Sequence, residues 1–162
     1  MTSALPNRPG TIAAPQRLVL AETYEVVAAR ALELQVGKAR VAVALDRIHR
    51  ILETTCAHVP TSHPLVRGIA FADGRPLVCV FLGRNSEQLS VDIKAVVLVA
   101  PGGVSWALCA DHVHGVVTVA DRSTKTDGRL PRWLARARTS EGRTLAWLDP
   151  SLMIADIGAG AA

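Results

Sequence analysis

The stretch LVRGIAFADGRPLVCVFL, residues 65–82, constrains this chain more than any other. Two apolar runs, Gly68 to Ala72 and Pro76 to Leu82, flank Asp73-Gly74, the dipeptide best suited to a two-residue hairpin. Asp and Gly both tolerate the positive φ of a type I′ turn, so the two strands can twist together without strain. The second run is apolar at nearly every position, as in a strand buried on both faces. A hairpin at the core of a β structure follows.

The length of 162 residues suits one compact unit or two small subdomains sharing a core. With 49% hydrophobic and 20% charged residues, material for that core is ample. No apolar run reaches the roughly 18–20 residues a membrane span needs, and the start, MTSALPNRPGTIAAPQ, lacks the apolar stretch of a signal peptide. A cytoplasmic location is expected. Cys56, Cys79 and Cys109 are odd in number and two lie in apolar strand-like runs, which predicts buried free thiols.

The net charge is +4, and much of the excess lies between Arg122 and Arg143. There Arg122, Lys125, Arg129, Arg132, Arg136, Arg138 and Arg143 face few acids in sequence. A basic β-barrel that binds nucleic acid is one alternative reading. Nucleic-acid readers interleave exposed aromatics with their basic groups, and only Trp133 lies in this run. A solvated or protein-facing surface is the preferred reading.

Residues 1–16 read as a flexible tail, and RLVLAETYEVVAA, residues 17–29, as a segment that can form a short helix. Alternation then places Leu32, Leu34 and Val36 on one face and Glu33 and Gln35 on the other, a half-buried strand. Gly37-Lys38 turns it into a second strand from Ala39 to Leu45. Asp46 can cap a short turn before Ile48, Ile51 and Leu52, spaced i, i+3, i+4, and residues 54–64, with Pro60 and Pro64, read as a loop. Further strands are expected over 95–100, 104–110, 116–119 and 144–148, with turns at 83–90 and Pro101-Gly102-Gly103 and a long loop over 120–131. Asp149-Pro150 starts a helix carrying Leu152, Met153 and Ile157, and residues 159–162 read as a flexible end. Many short strands with little helix mean a mainly β barrel or sandwich.

The sequence makes no positive case for catalysis. Cys56 with His58 and His63, or His112 with His114, lack the spacing of a complete metal-ligand set. There is no GxSxG elbow, no base placed beside Cys56, and no phosphate-binding glycine loop. Neither metal nor cofactor is expected. A small hydrolase or metal protein of another type is the weakest reading.

From Arg30 to Ile157 the order of segments resembles the CheW-like family, the coupling proteins of bacterial chemosensory arrays. ALELQVGKARVAVALDRIHRIL is similar to the family's first strands and its D-x-V-x-E-V segment. LVRGIAFADGRPLVCVFL resembles its V-R-G-x-x-N-L-R-G-x-x-x-P-V-x-D-L hairpin. SWALCADHVHGVVTV resembles G-x-x-V-D-x-V-x-G-V, with Asp111 and Gly115 in place, and RTLAWLDPSLM looks like the closing strand and helix. The resemblance implies one CheW-like domain over 30–158, built as two small five-stranded SH3-like barrels sharing a hydrophobic seam, with short helices. It also implies a non-enzymatic adaptor. One surface would take the cytoplasmic tip of a methyl-accepting chemoreceptor, and another a CheA-type histidine kinase or a second CheW-like protein.

Carried onto this chain, the receptor groove maps to Leu45, Ile48, Ile51, Val66 and Gly68, apolar positions that suit a helix in a groove. Two departures stand out. Arg50 occupies the place of an acid in D-x-V-x-E-V, and Asp73 that of the arginine in N-L-R-G. An ion pair could survive this exchange, whereas complementarity to an unaltered partner would not. Altered coupling to the kinase is the expectation.

Overall fold

The computed structural model describes residues 23–60, 63–82, 90–100, 104–124 and 128–161. Its strands are β1 (Tyr24–Val36), β2 (Ala39–Ala44), β3 (Ile48–His58), β4 (Val66–Ala72), β5 (Arg75–Val80), β6 (Ser90–Leu98), β7 (Ser105–Ala110), β8 (His112–Ser123), β9 (Leu134–Thr139) and β10 (Thr144–Leu148). A 3-10 turn at Leu45–Arg47 joins β2 to β3, and a helix α1 (Pro150–Ala161) follows β10. The strands close into two five-stranded barrels, one in the order β1-β2-β10-β9-β8 and the other β3-β4-β5-β7-β6. The second barrel is therefore inserted whole between β2 and β8 of the first. Each contains one parallel contact, β2 with β10 and β5 with β7, among otherwise antiparallel pairs.

Three clusters of buried residues fill this arrangement. The inside of the first barrel holds Ala31, Ala42, Val119, Ala137, Leu145 and Trp147, so alanines on three strands make room for one indole. The inside of the second holds Ala70, Leu77, Ile93, Ala95, Val97, Ala107 and the three cysteines. Between the barrels runs the largest cluster, with Leu32, Leu34, Val41 and Val43 from one side and Val80, Val96, Leu98 and Leu108 from the other. Trp133, Leu148, Met153 and Ile157 close it with the β9 approach and α1. Two-residue alternation thus sends one face of β1 and β2 into a barrel and the other into the shared seam.

That closure corrects the outward placement of Glu33. Its side chain is only 2% exposed, because the barrel covers the face that alternation alone assigns to solvent. The carboxylate is held by Arg143, whose Nη2 and Nη1 donate at 2.9 and 3.1 Å, and by Arg40. The Arg143 hydrogen bonds, aided by Arg40, prevail over burial and lower the Glu33 carboxyl from an ordinary 4.5 to about 2. Another polar link ties the β1–β2 turn to the junction between the barrels, where β7 passes into β8: the Gly37 N–H donates to Asp111 Oδ2 at 2.6 Å, and the Asp111 N–H to Gln35 O at 2.9 Å.

Other expectations change as well. The helix read over 17–29 is, from Tyr24 onward, the first part of β1, and residues 17–22 lie outside the described residues. A register shift between Val26 and Ala29, with Ala28 at φ 47°, breaks the alternation that would have shown a strand. Ile48, Ile51 and Leu52 have helical spacing but belong to β3. The shift between Ile48 and Arg50 puts Ile48 against the seam and Leu52 into the barrel, leaving Ile51 exposed. The loop read over 54–64 is strand as far as His58, and β8 extends to Ser123. Strand β9, LARART, is an element that the sequence pattern does not mark, and α1 runs on to Ala161 through the end expected to be flexible. The tail over 1–16 and the turns at 83–89 and 101–103 lie outside the described residues.

Candidate functional site

The tip of the β4–β5 hairpin is the first candidate surface. Asp73 and Gly74 take φ values of 52° and 75°, the left-handed pair a type I′ turn needs. Arg50, at the irregularity in β3, reaches this turn and pairs with Asp73, Nη2 to Oδ2 at 2.7 Å. The exchanged charges do meet. Both side chains are open to solvent, at 42% and 77% exposure, so the pair adds about 0–1 kcal/mol to stability and chiefly sets a surface charge pattern. Thr54 Oγ1 donates to Phe71 O at 3.2 Å and ties the hairpin to β3.

Phe71, the one aromatic in the apolar run Gly68 to Ala72, is 63% exposed. Ala70 and Ala72 face the barrel interior, so alternation along β4 turns Phe71 outward beside its cross-strand partner Pro76. Small residues at the inward positions were the signal, overshadowed by the bulk of the aromatic.

The residues mapped to a receptor groove separate into three kinds. Leu45, Ile48 and Val66 are half-buried and all pack on the seam cluster, together with Leu65, Leu82 and Trp106. Ile51 stands apart on the outer face of β3, 45% exposed. Gly68 is buried and presents no side chain: a Cβ there would lie 1.8 Å from the Ala57 carbonyl oxygen, so glycine is what lets β4 approach β3. Of these residues, Leu45, Ile48 and Val66 form a half-buried apolar rim along the seam.

The constellations weighed for chemistry are pulled apart. Cys56 lies inside the second barrel, His58 contacts the buried Arg67 guanidinium, and His63 Nδ1 accepts from the Leu65 N–H at 3.2 Å. His112 and His114 do share a face of β8, with ring centroids 4.6 Å apart. Among the described residues, no three His, Cys, Asp or Glu side chains come together as a metal site would require. All three cysteines are free and buried. Burial, with the neighbouring Cys79, pushes the Cys56 thiol up to about 12, and hydrogen bonding to Cys79 together with burial raises Cys109 further. These two thiols stay protonated at neutral pH and are poor nucleophiles.

In the basic run from Arg122 to Arg143, of which Lys125 lies outside the described residues, four arginines are paired within the fold. Arg122 pairs with Glu25, Arg132 with Asp156 at 2.7 Å, Arg138 with Asp121 at 2.8 Å and Arg143 with Glu33. Arg138 also lies over the Tyr24 ring, and Trp133 is buried in the seam. The acids that the local sequence lacks come from β1, β8 and α1.

Comparison with known proteins places this architecture. The sequence pattern of the CheW-like domain matches residues 30–158. Among solved structures, the scaffolding protein TtCheW from Thermoanaerobacter tengcongensis has the same fold, with a TM-score of 0.57 at 12% identity over 80% of this chain and 89% of that one. No curated protein matches the sequence. None of the described helices is long and apolar enough to cross a membrane. With two barrels sharing one seam, and with the family's sequence pattern running through both, the chain belongs to the CheW-like domain family.

Proposed function

We propose that this protein is a non-enzymatic adaptor of a bacterial chemosensory array, bound to receptor clusters on the cytoplasmic side. The observation that carries this reading is the CheW-like domain spanning residues 30–158. Its partner would be the cytoplasmic tip of a methyl-accepting chemoreceptor, whose helices lay apolar side chains against the seam rim at Leu45, Ile48 and Val66 and extend onto Ile51 on the outer face of β3. A CheA-type kinase or another CheW-like protein would meet the tip of the β4–β5 hairpin. There the Arg50–Asp73 pair shows the reverse of the family's usual pattern, so an unaltered partner meets like charge and coupling weakens. The ion pairs within the basic run, and the burial of Trp133, favour this reading over nucleic-acid binding.

Calorimetric titration against a receptor-tip fragment and against the kinase's regulatory domain tests both halves. Receptor binding should persist and weaken about tenfold or more in Ile51→Glu, an exposed position that leaves the core alone. Kinase binding should be weak or absent, and the combined change Arg50→Glu with Asp73→Arg should strengthen it. The left-handed backbone at Asp73 makes that second change cost about 1 kcal/mol, which the fold can bear. Micromolar binding of the kinase domain by the unmodified chain, unimproved by the exchange, rules out the altered interface. No receptor binding at all rules out the adaptor reading.

A further inference from the structure

Two cavities adjoin on the first barrel. One, of about 590 Å³, lies where β2 gives way to the 3-10 turn and is lined by Arg30, Asp46 and Arg47 over a floor that includes Trp147 and Leu148. The other, of about 750 Å³, lies under the β8–β9 connection and is lined by Arg129, Arg132 and Arg136 over Leu130, Leu134 and Leu152. Arg122 and Asp149 line both, so the two cavities abut at these side chains as an interrupted groove. The lining holds six arginines and three carboxylates, those of Glu25, Asp46 and Asp149, and one of the arginines, Arg132, is also paired with Asp156. Asp149 accepts from the Leu152 N–H and Glu25 is paired with Arg122. Exposed ion pairs of this kind are held weakly and can exchange partners.

The backbone beside the groove carries a second signal. β2 pairs with β1 only from Ala31 onward, so among the described residues Val26–Arg30 has β8 on one edge and no strand on the other. An unpaired edge next to an arginine-lined groove suits an added strand. We infer that the groove binds an extended acidic segment of a partner protein, its carboxylates meeting the arginines and its apolar residues the floor. Two adjoining cavities call for an extended ligand over a single small anion. Among the described residues, the only aromatic ring lining either cavity is Trp147, 8% exposed, which leaves bases little stacking surface, and a concave site does not fit a flat membrane. The kinase surface proposed above lies on the other barrel, and Leu45, which lines the first cavity, is shared with the proposed receptor rim; the inference rests on neither reading.

Fluorescence anisotropy of the full chain with a labelled decapeptide of alternating glutamate and valine tests it. Micromolar binding in 50 mM salt is expected, with a lysine–valine decapeptide and a glutamate–valine pentapeptide each at least tenfold weaker. Arg30→Glu with Arg47→Glu, and separately Arg129→Glu with Arg136→Glu, should each weaken binding tenfold or more. Hydrogen exchange on the unmodified protein should slow at Val26–Arg30 when the peptide is added, a readout that holds even if a variant fails to fold. Affinity weaker than 1 mM, unchanged exchange along that edge, or tighter binding of single-stranded DNA or phosphatidylglycerol vesicles would overturn the inference.

Discussion

Glu33 shows how far a single residue's role departs from its place in the sequence. Its neighbours Leu32 and Leu34 mark the seam face of β1, and alternation assigns the carboxylate to water. Only barrel closure, which brings Arg143 from 110 positions away, makes it a buried anion. The folded-state pKa is depressed, so the carboxylate's contribution is full above about pH 4.5 and is lost as pH falls toward 2. That difference amounts to at most about 3 kcal/mol, since both arginines are half in solvent. Urea denaturation at pH 7, 4 and 2.5 should show the loss between the last two, and Glu33→Gln should flatten this acid limb. At pH 7 the same variant should be less stable by about 2–4 kcal/mol, because it leaves two guanidinium groups facing a neutral amide.

At the scale of elements, legibility followed turn chemistry and side-chain bulk. Asp73-Gly74 named its hairpin because few residues accept left-handed backbone at both positions. β9 was hidden because its inward residues are Ala135, Ala137 and Thr139: Trp147 and Leu145 already occupy the interior, so the strand supplies small groups and shows arginine outward. Irregularities at Ala28 and beside Arg50 hid β1's start and gave β3 a false helical spacing. The candidate site was half legible for the same reason: the resemblance supplied positions, and only the register showed Gly68 buried and Phe71 exposed. The helix start was plain from Asp149-Pro150, and Asp149 Oδ1 does accept from the Leu152 N–H at 3.1 Å. Asp149→Ala should cost about 1 kcal/mol and lower Tm by roughly 3 °C, measurable by scanning calorimetry.

At the scale of the molecule, the seam makes the two barrels one thermodynamic unit. Leu34 and Leu108 come from different barrels and belong to the same fully buried cluster. A single unfolding transition is expected, with ellipticity and tryptophan fluorescence coincident in urea. Leu108→Ala should shift both signals together by about 2–4 kcal/mol. Separate transitions would show that the barrels hold independently.

The insertion of one barrel into the other also fixes an order of events during synthesis. β1 and β2 leave the ribosome first but must wait for β10, roughly 100 residues later. At about 5–20 residues per second that delay is on the order of 5–20 s. In that interval the inserted barrel, whose strands are consecutive in the chain, can complete itself. The early hairpin therefore spends its first seconds with Leu32, Leu34, Val41 and Val43 against whatever is near. The newly finished neighbour offers Val80, Val96 and Leu108 as that surface, so the inserted half acts as a template on which the interrupted half is assembled.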